Sequence, residues 1–158
     1  MRIAIGLSLA SEDWTAASGY VVEAERMGVD CVWSAEAWGH DAVSPLAFLA
    51  ARTSRIRLGT GIMQAGTRTP ALIAMTAMSL ASMSGGRFIL GLGVSGPQVI
   101  EGWHGIRFER PVQRLRETVV TKLGRPPQSP WKLDKYRQGN LVTVDDVAGF
   151  FPQSTSST

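Results

Sequence analysis

Seven side chains able to carry charge, hydrogen-bond or move a proton fall where an apolar run has ended and a helical pattern has not begun: Ser8, Glu36, His40, Asp41, Gln64, Ser95 and Gln98. Glu36 is the carboxylate best placed among them for acid–base work, although an acid in such a position can equally sit in water or hold a neighbouring loop. Ser95 and Gln98 border a glycine-rich turn, Gly91-Leu-Gly-Val-Ser-Gly96, between the apolar run Arg87–Leu92 and Pro97. A strand that ends in such a turn before a helix lines up backbone N–H groups, which can hold a phosphate or another anion. Gly91-x-Gly93-x-x-Gly96 also matches the dinucleotide fingerprint letter for letter. That fingerprint belongs on the first strand of a βαβ unit, with an acid at the end of the next strand. Here strand–helix units precede it and no strand-like run follows directly, so we read it as a tight turn. His40 and His104 lack companion ligands at metal-binding spacing and read as polar loop residues. No Ser-His-Asp arrangement stands out, and no phosphate-binding lysine follows the glycines.

The elements that must position these residues follow from the hydrophobic pattern. Arg2–Leu9 is short and β-rich, as a strand buried on both faces would be. Ser11 can cap the next helix, with Glu12 and Asp13 where the macrodipole favours negative charge. Trp14, Ala17, Val21 and Ala24 make its apolar stripe, and Gly28 suits its C-terminal stop. Val29–Ser34 is a second strand, and Ser44-Pro45 opens a second helix with Leu46, Leu49 and Ala50 facing inward. Ile56–Ile62 is the third strand. Thr69-Pro70 opens the third helix, in which Met75 and Met78, with Met83 at its end, are expected as gap-filling core residues before the Gly85-Gly86 stop. After the glycine-rich turn, Pro111 opens a helix running through Leu115 and Val119. Trp33 and Trp38 read first as packing residues, though either could border a flat ring. The order is β-α-β-α-β-α-β-α with short connections, which requires a parallel sheet with right-handed crossovers. All seven polar residues then lie at the carboxyl edge, where such folds bind ligands. Periodicity alone leaves a barrel and an open sheet equally possible.

Composition narrows the class. The chain has 158 residues, 44% of them hydrophobic and 18% charged, as in one soluble globular domain. Its net charge of +3 is spread along the chain, which does not imply a nucleic-acid partner. No apolar run is long enough to span a membrane, and the N-terminus opens a strand without a signal-peptide layout, so a cytoplasmic location is expected. Cys31 is the single cysteine, which excludes an intramolecular disulfide and suggests a buried free thiol.

The run VDCVWSAEAWGHDAVSPLAFLAA, followed by IRLGTGIMQAGTRTPALIAMTAMSLASMSGGRFILGLGVSGPQVIEGWHG, resembles the luciferase-like monooxygenase family, in particular its branch that uses the deazaflavin F420. The resemblance covers residues 1 to about 119. It implies a TIM barrel of which this chain holds the first four βα units, and an oxidoreductase that moves a hydride to or from the deazaflavin. FMN, with oxygen-dependent monooxygenation, is the alternative cofactor. The family's acid beside the ring matches Glu36, which would position or protonate groups there; many relatives follow it with a histidine, where this chain has Ala37. The family's strand bulge with a non-prolyl cis peptide under the ring matches Gly61 and Ile62. Its fourth-strand turn at the edge of the cofactor matches Gly93, Val94, Ser95, Gly96 and Gln98. No metal is implied.

From residue 121 the sequence no longer resembles the family. Leu123-Gly-Arg-Pro-Pro ends any helix, Leu141–Val144 could be a short strand, and Ser154–Thr158 should be disordered. Residues 1–120 therefore read as a partial barrel domain and 121–158 as an unrelated tail, as a frameshift or rearrangement past codon 120 would produce. Such a chain would lack half the cofactor site. It should be inactive alone, a non-catalytic fragment or a subunit completing a barrel with a second chain, and it should self-associate through the open half-barrel.

Overall fold

A computed structural model describes residues 2–7 and 13–119. Ser8, Ser11, Glu12 and the whole expected tail lie outside the described residues. Strands β1 (Ala4–Gly6), β2 (Cys31–Ser34), β3 (Arg57–Thr60) and β5 (Phe88–Ile89) form one parallel sheet in chain order. Two short strands, β4 (Met63–Gln64) and β6 (Leu92–Gly93), continue β3 and β5 as a second parallel pair. Helices α1 (Trp14–Arg26), α2 (Val43–Ala50) and α3 (Pro70–Met83) fill the crossovers, and the short α4 (Pro97–Ile100) and α5 (Pro111–Glu117) follow. Each strand adds to the same edge without reversal. That order belongs to a barrel rather than a doubly wound sheet, which reverses at a switch point. The chain is an α/β partial barrel of four βα units.

One cluster forms the core. Val32, Leu58, Phe88 and Leu92 from the strands, with Leu90 between β5 and β6, pack on Val21 of α1, Leu46 and Leu49 of α2, and Ile73, Ala77 and Leu80 of α3. Each such side chain, fully buried, is worth about 1.5–3 kcal/mol. The opposite face carries Trp33, Gly59 and Ile89 in register. Trp33 and Ile89 are only half-buried there. This is the surface a closed barrel would turn inward. Strand β1 is an exposed edge rather than a doubly buried strand.

Between β3 and β4 the Gly61–Ile62 peptide bond is cis. Gly59 pairs with Ile89, yet Met63 pairs with Leu92, so one strand spends four residues where its neighbour spends three. This is a β-bulge. It reverses the alternation, so that Met63 joins Leu58 in the core while Gln64 turns the other way. The Thr60 hydroxyl spans the break: its Oγ1 accepts from Gly91 N and donates to Gly91 O, both at 2.8 Å.

Arg87 ties the amino edge together. Nε donates to Ser84 O, Nη1 to Thr53 Oγ1 and Ile56 O, and Nη2 to Ala50 O and Thr53 O, at 2.7–3.1 Å. All five guanidinium N–H groups are used, three of them on carbonyls at or just past the C-termini of α2 and α3 (Ala50, Thr53 and Ser84), where the helix dipole is negative. Glu25 makes a second tie. Its Oε1 accepts from the backbone N–H groups of Ser54, Arg55 and Ile56 at 2.6–2.9 Å, fixing the entry to β3.

Asp13, not Ser11, caps α1, accepting from Thr15 N and Ala16 N at 3.0 Å. Gly28 takes φ +88° just past the same helix, as its placement required. Cys31 is buried, and that burial pushes its thiol up to about 11. The expectation that Met75, Met78 and Met83 fill the core is wrong: they are 64%, 42% and 58% exposed. α3 is apolar on every side, so periodicity could not tell its inner face from its outer one. Among the described residues, no helix is long and apolar enough to cross a membrane.

Candidate functional site

The carboxyl edge is organised by Glu36, which follows β2 and is buried. Its Oε1 accepts from Gln64 N at 2.6 Å and from Arg68 Nη1. Oε2 accepts from Ala42 N at 3.0 Å and from Arg68 Nη2 at 2.9 Å. The Glu36 backbone joins in, its N–H donating to Ile62 O at 3.3 Å and its carbonyl accepting from Gln64 Nε2 at 3.2 Å. A carboxylate has about four lone-pair positions. Here each faces an N–H, and none is turned toward open space.

This cluster joins three loops. Arg68 stands just before the Thr69 cap of α3, whose hydroxyl accepts from Leu72 N. A cation at a helix N-terminus is on the wrong end of the dipole unless an acid holds it. That mismatch was the available sign of Arg68, which was absent from the seven sequence candidates. Asp41 supports the same corner by accepting from Val43 N at 2.7 Å and Ser44 N at 2.8 Å, which caps α2.

The resulting surface is a shelf. Gly61 is exposed and Ile62 half-buried. A Cβ on Gly61 would meet Trp33 Cε3 at 3.3 Å, and one on Gly59 would overlap the same ring. A Cβ on Gly93 would lie 2.8 Å from Ile62 Cγ1. Glycines at 59, 61 and 93 thus let Trp33 and Ile62 lie flat across the strands. Beyond Gly93, Ser95 adopts φ +58° and the Gln98 side chain folds back over Gly96. Val94 lines a 20 Å³ cavity with Ala65, Ile100 and Leu115.

Of the sequence candidates, Glu36 and Gln64 touch directly, and Asp41 joins them through the field of Arg68. Ser95 and Gln98 lie on the separate turn. His40 sits edge-on to Trp14 at 5.3 Å, and exposed Trp38 pairs edge-on with Trp103 at 5.5 Å. Two buried oxygens near this edge, Ser34 Oγ and Gln64 Oε1, have no hydrogen-bond partner among the described residues. No cluster able to hold a metal occurs among the described residues.

Burial pushes the Asp41 carboxyl up, but the Ser44 and Val43 N–H groups, the Ser44 hydroxyl and Arg68 outweigh it and hold it below its ordinary 3.8. Glu25 behaves alike: burial pushes it up, but the Ile56, Arg55 and Ser54 N–H groups, with Arg55, hold it below 4.5. Both acids bind a proton less readily folded than unfolded, so in that window the unfolded chain carries more protons and stability rises with pH. Their contribution is complete above the ordinary values and drains away as pH falls through the lower folded ones. Melting temperatures should therefore fall below about pH 4.5. A Glu25→Gln/Asp41→Asn variant should be less stable at neutral pH and show a shallower acid decline. An unchanged decline in that variant would assign acid sensitivity to other groups.

A family model for luciferase-like monooxygenases matches residues 1–121. A candidate coenzyme F420-dependent oxidoreductase of Mycobacterium tuberculosis is 56% identical over 99 residues, 63% of this chain and 28% of that protein. The 5,10-methylenetetrahydromethanopterin reductase of Methanolobus tindarius is 39% identical over 127 residues, 80% of this chain and 35% of that protein. Among solved structures, the coenzyme F420-dependent tetrahydromethanopterin reductase of Methanopyrus kandleri superimposes with a TM-score of 0.63 at 25% identity, over 75% of this chain and 38% of that one. The FMN complex of the oxygenating constituent of 3,6-diketocamphane monooxygenase from Pseudomonas putida shares the fold, with a TM-score of 0.64 at 18% identity over 75% of this chain and 37% of that one. The chain spans about a third of the length of the curated relatives it matches.

Proposed function

The chain belongs to the luciferase-like monooxygenase family, and we propose on that premise that its described residues are the first half of a coenzyme F420 site in an oxidoreductase. The observation that carries this reading is the flat shelf of Gly61 and Ile62, bordered by the Trp33 ring and anchored by the Glu36 clamp. A deazaflavin bound there would supply hydride transfer. Gly61 and Ile62 would support its face, and the turn of Gly93, Val94, Ser95, Gly96 and Gln98 would border it. Gln64 Oε1, a buried acceptor still lacking a donor among the described residues, suits a ring N–H or a water. Glu36 acts in this reading by position. With its lone pairs engaged, it fixes Ile62 and Gln64 rather than passing a proton.

The relatives' full activity needs groups this half does not hold, so the 158-residue chain alone is expected to bind without turning over substrate. The open inner face of the sheet, with Trp33 and Ile89 half-exposed, draws a second apolar surface over it: further strands, or another copy. F420 is preferred to FMN because the relatives of higher identity are the F420-dependent ones.

Fluorescence titration tests the assignment. F420 should bind more weakly than about 1 μM, since the ordering cost stays while contacts are halved, and more tightly than FMN. Gly61→Val should weaken F420 further, because the added side chain meets Trp33 and stands on the shelf. FMN binding as tight as F420 or tighter would replace this reading with the FMN-dependent monooxygenase. Sub-micromolar F420 would show that the half-site suffices.

A further inference from the structure

The amino edge of the sheet, opposite the shelf, carries a second concavity. The last turn of α1 and the loops that lead into β2 and β3 enclose an open cavity of about 350 Å³, within the size range of small-molecule sites. Three arginines line it, Arg26, Arg55 and Arg57, together with two acids, Glu25 and Asp30. Both acids are anchored to backbone. Glu25 Oε1 holds the three N–H groups at the entry to β3, and Asp30 Oδ2 accepts from Ile3 N at 2.7 Å. Arg26 already has a counter-charge, its Nε and Nη2 donating to the two oxygens of Glu23 at 3.0 Å. Arg55 and Arg57 differ. Arg55 donates from Nη2 to the Glu25 carbonyl at 3.3 Å, and neither arginine forms an ion pair among the described residues. Arg57, the first residue of β3, is half-buried, yet none of its five guanidinium N–H groups has a hydrogen-bond partner among the described residues. By contrast, the fork of Arg68 closes on Glu36 and that of Arg87 on its ring of carbonyls. A guanidinium keeps its charge at any working pH, and a half-buried one without a counter-charge is costly.

We propose that this cavity binds a small hydroxylated phosphomonoester, whose phosphate sits between Arg55 and Arg57. Three arguments select that ligand. Two guanidinium forks without counter-charges match the oxygens of a phosphate dianion, which they hold by short, charge-assisted hydrogen bonds. The volume exceeds what one phosphate fills, and Gly28 and Val29 wall the remainder for a carbon skeleton. The acids set the polarity of that remainder. Glu25 Oε2 and Asp30 Oδ1 accept no hydrogen bond among the described residues, so each is placed to take one from a ligand hydroxyl. They also repel a second negative charge, which confines the ligand's anionic group to the arginine side. The site lies at the opposite edge of the sheet from Gly61 and Glu36, so it rests on none of the cofactor contacts proposed above.

Isothermal titration calorimetry on the full chain tests it, in about 0.15 M sodium chloride so that diffuse surface charge is screened. Glycerol 3-phosphate should bind with a Kd below about 1 mM, inorganic phosphate more weakly, and glycerol not measurably. Arg57→Gln and Arg55→Gln should each weaken glycerol 3-phosphate on the order of 10-fold with circular dichroism unchanged. Arg57→Lys, which keeps the charge and loses the fork, should recover only part of that loss. Arg52→Gln removes the same charge from an exposed arginine outside the cavity and should leave the affinity as it is. Absence of binding by either phosphate up to about 10 mM would overturn the proposal. So would an Arg52→Gln loss equal to that of Arg57→Gln, which would mean unspecific charge attraction. Inorganic phosphate binding as tightly as glycerol 3-phosphate would overturn the assignment to a phosphomonoester.

Discussion

Glu36→Gln is expected to destabilise the protein by about 3–5 kcal/mol, the cost of breaking a buried ion pair by removing one partner. The reason is the donor arrangement around the carboxylate. Oε1 faces Gln64 N and Arg68 Nη1, and Oε2 faces Ala42 N and Arg68 Nη2. Whichever way a glutamine amide is turned, its NH₂ points at two donors and its remaining oxygen serves the other two. Arg68→Met leaves the carboxylate with two backbone N–H groups, so it should cost less. The double variant Glu36→Gln/Arg68→Met should be less damaging than the sum, since Arg68 supplies half the mismatch. Urea unfolding followed by circular dichroism measures all three. Cofactor affinity should fall with Glu36→Gln, because Ile62 and Gln64 lose their anchor. A Glu36→Gln midpoint equal to wild type would mean the carboxylate is not holding the edge, and a proton-transfer role would become the better reading.

Arg87→Ala is expected to cost about 3–5 kcal/mol as well, with a different signature. Hydrogen bonds to a charged donor are worth about 1.5–3 kcal/mol each, and buried carbonyls stripped of theirs must find water. Here Ser84 O, Ala50 O, Thr53 O and Ile56 O all lose a donor, along with the Thr53 hydroxyl. Water can reach this half-buried corner, which keeps the loss below the simple total. Arg87→Lys should recover only a minor part, because an ammonium is a point charge with three donors and lacks the planar fork. The residue lies at the amino edge, far along the strand from the shelf. F420 binding per folded molecule should therefore be unchanged in either variant, where Glu36→Gln changes it. A lysine variant with wild-type stability would show that charge near the helix ends, rather than the fork, does the holding.

The order of strands and helices was legible because prolines, glycines and apolar runs mark it locally. Thr69-Pro70 does start α3, and Gly85 and Gly86, with φ +63° and +81°, do end it. The choice of a barrel was not legible, since period-2 and period-3.6 patterns say nothing about which edge the next strand joins. Ile56–Ile62 read as one strand because its composition is continuous, and nothing local announces that register slips at Gly61. That position came from family resemblance. Glu36 was visible as an acid at a strand end, but its partner Arg68 lies 32 residues later, and sequence spacing carries no sign of their meeting. The methionines of α3 misled because apolar residues cover all its sides, and only packing separates core from exposed surface.

The slip between β3 and β4 has a bearing on how such chains can be recombined. Below Gly61, odd and even positions divide between core and inner face one way, and above it they divide the other way. A chimera joining the lower part of this strand to the upper part of a relative inherits the correct phase only if the crossover preserves the extra residue. An alignment that places a gap there, as score alone could favour, would send Met63 to the inner face and Gln64 into the hydrocarbon core. Every position up to Ala65 would be inverted while the composition stayed the same. Crossovers placed in α1 or α2 avoid the question, since Thr60 through Gln64 then travel together with the neighbour Gly91 that their bulge was fitted to, whereas one in α3 would part them.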